Sequence, residues 1–219
     1  MNRSGKLVNF PGITNAQPGV DVFGFYEDFI GKDIATHQIP GWVATKTGGD
    51  FGVDSAVTLL SEIGGGIKLA VLGTTDNDGI NFCMDGGAFT PTAGTSIFFE
   101  TKLRIDGCDS TPEINFIAGL CAPSQTAMLA ANGGLANVRN AIFACSADGF
   151  AQLDANSTSA AVADERETSV GVLVDDTFIT LGIVFEGAGK LKFLIDGKIV
   201  HTTTTAASIP IGTLTPIFG

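Results

Sequence analysis

The chain of 219 residues is 44% hydrophobic and 16% charged, so it has enough apolar material for a packed core, which excludes general disorder. Twelve basic and 23 acidic residues give a formal net charge of −11. Because this charge repels phosphate backbones and anionic lipids, and no run of Lys or Arg overrides it, neither nucleic acid nor membrane is expected as a partner.

Residues 1–20 predict an extended N-terminal arm. Two Pro-Gly pairs, at 11–12 and 18–19, disfavour both helix and strand. The apolar residues Leu7, Val8 and Phe10 indicate that the arm docks on its own domain or on a partner, although a frayed terminus fits the composition equally well. No apolar core of a secretory signal follows the first basic residues, so folding in a cytoplasm is expected.

Residues 21–219 predict a single all-β domain, an antiparallel β-sandwich. Short apolar or alternating runs follow one another between Gly, Asp and Asn clusters, a spacing typical of sandwiches and barrels. One helix candidate, 124–131, follows Pro123. The predicted strands are 22–29, 41–47, 67–74, 80–85, 96–106, 113–120, 139–145, 149–154, 169–174, 177–186, 190–195, 198–205 and 211–218.

Alternation predicts the orientation of two of these strands. In 96–106, Phe99, Leu103 and Ile105 share an inward face, and the opposite face carries charged residues: Glu100, Lys102, Arg104 and Asp106. The run 177–186 is apolar on both faces, which predicts a central or covered strand.

The stretch "KLKFLIDGKIVHTTTT" (190–205) predicts a hairpin that turns at Asp196-Gly197. A two-residue turn places Phe193 opposite Val200, and it places His201 opposite Lys192 on the outward face. We therefore expect His201 to be a surface imidazole.

The same register places Leu194 opposite Ile199 on the outward face of the hairpin. Two apolar residues on an otherwise polar face predict that a loop, the arm or a neighbouring subunit covers them. They join the arm residues Leu7, Val8 and Phe10 as the predicted partner interface.

No motif predicts a catalytic residue, a metal ligand or a cofactor. Asp76 and Asp78 precede Gly79 as in a calcium loop, but a hairpin turn explains them better. The run "ADERET" (163–168) holds carboxylates of the kind that glycoside hydrolysis needs, yet its flanks predict a solvated loop. Neither His37 nor any other histidine lies near a nucleophile motif in the sequence.

Four cysteines, Cys83, Cys108, Cys121 and Cys145, lack the close spacing of zinc or redox sites. Free thiols are predicted, and a disulfide is the alternative that the even count leaves open.

The order of the segments "FYEDFIG", "SIFFETKLRID", "EINFIAGL", "TFITLGIVFE", "KLKFLIDGKIVHTTTT" and "IPIGTLTPIF" resembles the concanavalin A-like lectin/glucanase jelly roll of tailed-bacteriophage virion proteins. The resemblance covers about residues 21–219. Members similar to β-glucanases carry E-x-D-x-x-E on a concave strand, and legume-type lectins carry a calcium loop. Neither pattern occurs here, so we expect that the chain is not an enzyme.

The resemblance implies a non-enzymatic capsid decoration or cement protein on the outside of a phage head. Its expected partner is the major capsid protein, and its expected location is the virion, which assembles in the host cytoplasm. A homo-oligomer is expected, with a trimer as one candidate.

The alternative function is a carbohydrate-binding, lectin-like module of a phage fibre or surface protein. Sugar sites present aromatic side chains for stacking, and Tyr26 and Trp42 are the candidates in this sequence.

Overall fold

A computed structural model describes residues 41–47, 56–59, 66–70, 79–108, 115–123, 128, 135–136, 138–145, 151–159, 164–203 and 205–219. The predicted arm 1–20 with Leu7, Val8 and Phe10, the predicted strand 22–29 with Tyr26, and all of the helix candidate 124–131 except Met128 lie outside the described residues.

The described residues form an antiparallel β-sandwich of jelly-roll type with two main sheets. Sheet I has seven strands in the order β1-β4-β13-β6-β7-β8-β9. The pairs β4-β13 and β13-β6 join segments that are distant in sequence. Their bounds are β1 (Trp42–Thr47), β4 (Gly79–Met84), β6 (Phe116–Cys121), β7 (Asn140–Cys145), β8 (Gln152–Thr158), β9 (Glu165–Val172) and β13 (Thr215–Phe218).

Sheet II has four strands in the order β12-β11-β10-β5. A separate pair, β2 (Ala56–Leu59) with β3 (Ile67–Ala70), and a one-turn 3-10 helix at Ala206–Ser208 complete the elements. The strands of sheet II are β5 (Ser96–Arg104), β10 (Phe178–Glu186), β11 (Leu191–Ile195) and β12 (Lys198–Thr203).

The main core lies between the two sheets, where alternate residues of each strand point inward. Phe143 of sheet I and Phe193 of sheet II meet edge to face, with ring centroids 5.3 Å apart. The prediction for 177–186 is confirmed, because β10 lies between two strands and buries Leu181, Ile183 and Phe185.

The prediction of a solvated loop at 163–168 is wrong, because Glu165–Val172 forms β9. This strand lies at an edge of sheet I. Charged residues are common in edge strands because they discourage pairing with another chain. The charge run therefore concealed only the first half of this strand, because its second half lies in the predicted strand 169–174. The short strand β2 was also not predicted.

The hairpin turn is confirmed, since Asp196 and Gly197 have φ of 48° and 76°, as a tight two-residue turn requires. Leu194 faces Ile199 as predicted, but Phe193 faces His201 and not Val200. A β-bulge adds one residue to β12 at this point.

The bulge also overturns the predicted position of His201. Lys192 pairs with Thr202, and His201 pairs with Phe193 on the inner face. The extra residue shifts the register by one, so each following side chain of β12 points to the face opposite to the predicted one. The His201 side chain is only 13% exposed, so it is not a surface imidazole.

Candidate functional site

The outer face of sheet II is defined by the strand register. Phe98, Glu100, Lys102 and Arg104 of β5 pair with Val184, Gly182, Thr180 and Phe178 of β10, all on the side away from the core. Leu194 and Lys192 of β11 continue the same face, and Ile199 and Thr202 of β12 complete it.

A shallow groove, open to solvent, crosses this face above Gly182. The groove forms because Gly182 has no side chain, whereas its neighbours on the outer face, Leu194 and Glu100, have one. A Cβ at this position would lie 3.4 Å from the Cβ of Leu194. The groove is lined by Phe98, Phe99, Glu100, Thr180, Gly182, Val184, Leu194 and Gly197.

Two cationic side chains of β5 lie further along the same face. The Lys102 ammonium and the Arg104 guanidinium lie 4.8 and 5.3 Å from the ring centroid of Phe178, which is 52% exposed. Arg104 also pairs with Asp176 at 3.2 Å. At the other end of the face, a hydrogen bond from Lys192 lowers the pKa of Glu186.

The two predicted interface residues of sheet II lie on this face but differ in exposure. Leu194 is 5% exposed and forms part of the groove, whereas Ile199 is 55% exposed. The pattern that could have identified the groove is the single glycine inside the apolar run "TFITLGIVFE", where a missing side chain leaves a depression in the sheet surface.

The outer face of sheet I is closed by an apolar layer over its central strands. Met128, which is fully buried, belongs to this layer, and Leu135, Ala136 and Val138 pack against it. Burial raises the pKa of the Cys121 thiol to about 12, as expected for a core cysteine. The strand residues of the layer are Cys83, Ile117, Cys121, Ile142, Ala144 and Ile217.

A row of polar residues continues the same face toward its edge. Asn156 donates to Asn140 at 2.8 Å, and Asn140 donates to the backbone oxygen of Val138 at 2.9 Å. Arg166 of β9 donates to the buried carboxylate of Asp154, with Nε 2.9 Å from Oδ2. The row therefore satisfies its own hydrogen bonds, as buried polar groups must.

A second polar cluster joins the two sheets where β9 and β12 meet. His201 Nε2 is 3.4 Å from Glu165 Oε1 and 3.3 Å from Thr203 Oγ1, and Nδ1 is 4.0 Å from Glu167 Oε2. Thr203 contacts Ser157 at 3.2 Å. Ser157 is fully buried, so this hydroxyl cannot meet a substrate, and the cluster acts to hold the sheet edges together.

Trp42, the aromatic candidate for a sugar site, is half-buried on the inner side of β1. Its ring stacks on Phe82 at a centroid distance of 4.7 Å and an interplanar angle of 7°, and it also contacts Phe218 at 5.9 Å. One side of the indole is therefore occupied by the protein itself.

Among the described residues, no group of three or more His, Cys, Asp or Glu is placed to hold a metal ion. The described part of the chain also contains no helix with the length and hydrophobicity needed to cross a membrane. All four cysteines lie in the described ranges and are free thiols, as predicted.

Comparison with solved structures places the fold among jelly-roll glucanases and lectin domains. No family model and no curated protein sequence matches the chain. A Bacillus licheniformis β-glucanase aligns over 89% of this chain and 83% of its own, with 14% identity and a TM-score of 0.54. An endo-1,3-β-glucanase from Streptomyces sioyaensis aligns over 94% and 86%, with 12% identity and a TM-score of 0.54.

A lectin-type domain gives a similar result. The potassium-bound carbohydrate recognition domain of Emp46p aligns over 88% of this chain and 85% of its own, with 9% identity and a TM-score of 0.50. At these identities the likeness establishes the fold, which is the concanavalin A-like jelly roll expected from the sequence.

The prediction that the chain is not an enzyme is wrong, because its structural neighbours include glucanases that share its fold over most of both chains. The prediction depended on the absence of one linear motif. Carboxylates that approach each other from separate strands leave no such motif, so the sequence pattern could not exclude a glycosidase.

Proposed function

We propose that the chain is a virion structural protein, a capsid-decorating protein that attaches to the outside of a phage head through the outer face of sheet II. The observation that supports this proposal is the combination of an apolar groove with exposed apolar residues on that face. Ile199 and Phe178, 55% and 52% exposed, lie on the same face as the groove. Exposed apolar patches bordered by polar residues are typical of protein interaction sites.

The resemblance of the segment order to phage virion proteins supplies the second support. In this proposal the partner is the major capsid protein. The groove above Gly182 receives one of its side chains, and Ile199 becomes buried on attachment. The predicted arm with Leu7, Val8 and Phe10 adds a second contact across a lattice junction.

The test is co-sedimentation of the purified chain with heads and, separately, with tails of the phage that encodes it. Saturable binding to heads is expected. Ile199→Asp should weaken it at least tenfold, whereas Ile211→Asp, at an equally exposed isoleucine (61%) outside sheet II, should not. Absence of binding to heads would refute the proposal.

Carbohydrate binding is the second candidate, favoured by the lectin-type and glucanase neighbours. Trp42→Ala is a poor test, because the lost stacking on Phe82 would itself destabilise the fold. Trp42→Phe keeps a ring at that position. Saturable binding on a glycan array that this variant weakens would favour a lectin-like role, and release of reducing ends from β-1,3-glucan would show hydrolysis.

A further inference from the structure

We propose that the outer edge of β5 pairs with β5 of a second copy of this chain, in an antiparallel arrangement centred on Thr101. The inference goes beyond the proposed function and does not depend on it, because the outer face of sheet II stays accessible when two sheets join side by side.

The strand β5 forms an edge of sheet II, and no strand among the described residues pairs with its far side. It contains no glycine or proline, and its register with β10 runs without a shift from the pair Phe178–Arg104 to the pair Glu186–Ser96. By contrast, the edge strands β12 and β9 are both interrupted by a register shift. Bulges protect an edge from pairing, so β5 is the most regular of these three edges and the one best able to accept another strand.

The inward side chains of β5 indicate that a neighbour belongs beyond this edge. Ile97, Phe99 and Leu103 pack against the main core but are only partly buried. In the adjacent strand β10, Leu181 and Ile183 lie on the same face and are fully buried. The apolar layer therefore loses its cover at β5, and a further strand at this edge would remove more apolar surface from water.

The charges of β5 favour a second copy and select its register. In an antiparallel pair centred on Thr101, Glu100 of each copy lies opposite Lys102 of the other, and Phe99 lies opposite Leu103 on the inner face. A pair centred on residue 100 would place two glutamates opposite each other, and a pair centred on residue 102 would do the same with two lysines. Like charges directly opposite each other are destabilising, so the register centred on Thr101 is preferred.

The other charges near this edge do not oppose that register. Arg104 already forms an ion pair with Asp176 at 3.2 Å, and Asp106, just after β5, would lie opposite the uncharged Ser96. Glu100 and Lys102 are both exposed, so they can meet a second copy without a change of fold. In a twofold dimer each contact occurs twice, so the Glu–Lys pairing contributes twice to the same interface.

The test is the oligomeric state of the full chain, measured by sedimentation equilibrium over a range of protein concentrations. A dimer that dissociates on dilution is expected. Lys102→Glu places glutamates opposite glutamates and should weaken the dimer about tenfold or more. Lys68→Glu, the same change at an exposed position of β3, should leave the dimer unchanged.

A charge swap tests the register itself. Glu100→Lys combined with Lys102→Glu restores opposite charges across the pair, so this double variant should dimerise like the wild type. Thermal unfolding checks that each variant is folded. A wild-type chain that is monomeric at every concentration, a dimer that Lys102→Glu does not weaken, or a folded double variant that stays monomeric would overturn the inference. A monomer that dimerises once residues 1–20 are deleted would also overturn it and assign this edge to the chain's own arm.

Discussion

Arg166 donates two hydrogen bonds to a single oxygen of Asp154, Oδ2, while the other oxygen accepts the backbone N–H of Ser169 at 2.8 Å. Ser169 has a φ of 59°, a left-handed value that costs free energy in a residue other than glycine. The carboxylate of Asp154, which is 6% exposed, thus orders the irregular part of the edge strand β9.

Asp154→Asn should lower the free energy of unfolding by about 2 kcal/mol, because hydrogen bonds to a charged group are lost while the shape is kept. Urea denaturation measures the change. Asp106→Asn, at an exposed aspartate next to β5, is the matched control and should change stability by less than about 0.5 kcal/mol. Equal effects of the two variants would contradict the role assigned to Asp154.

The four thiols should react very differently with a thiol reagent at pH 8. Burial raises the pKa of Cys121 to about 12 and that of Cys145 to about 11, and it also raises the pKa of Cys83. These thiols stay protonated and enclosed, so only the half-buried Cys108 should react within minutes in the native chain. Titration with Ellman's reagent should detect one fast-reacting thiol in the native chain and four thiols after denaturation.

Cys108→Ser should remove the fast reaction and leave three slow thiols. Two or more fast thiols in this variant would show that the layer over sheet I opens readily and that the described burial does not hold in solution.

Glu186 should make stability depend on pH in the acidic range. The hydrogen bond from Lys192 lowers the pKa of this carboxyl in the folded state, so its contribution is complete above the ordinary pKa and is lost as pH falls through the lowered value. The side chain is 40% exposed, and solvent screening limits the contribution to about 0.5 kcal/mol.

The measurement compares the wild-type chain with Glu186→Gln by urea denaturation at pH 7 and near pH 3. The difference should be present at pH 7 in low salt and should shrink both in 0.5 M NaCl and at the lower pH. A difference that grows on acidification would have the wrong sign for this ion pair.

Gly119→Ala should be severely destabilising, by about 3 kcal/mol or more. Its φ is 154°, and a Cβ would collide with the backbone oxygen of Ala141 and lie 2.8 Å from Cα of Ile142. These atoms belong to the paired strand β7 and cannot move aside. Gly189→Ala, where a Cβ meets nothing within 4 Å, should leave the melting temperature within a few degrees of wild type.

Much of the sandwich could be predicted because burial repeats with the strand period. The alternation in 96–106 predicted correctly that Leu103 faces the core and that Arg104 faces outward. The turn at Asp196-Gly197 could be predicted because only a few residue pairs tolerate two positive φ values in succession.

The site could be predicted only in part, because it depends on relationships that no local pattern contains. A single extra residue in β12 moved His201 from the outer face to a contact with Glu165 on another sheet. The groove depends on Gly182 lying beside Leu194 and Phe98, which come from three different strands.

The position of β13 has a consequence for biosynthesis. Thr215–Phe218 lies between β4 and β6, so these two strands of sheet I pair only through it and not with each other. A ribosome delivers residues 79–84 and 116–121 long before residues 215–218, and until then both strands have an unpaired edge. We therefore expect sheet I to close only after its last strand has left the ribosome, with the slow kinetics that distant pairings impose.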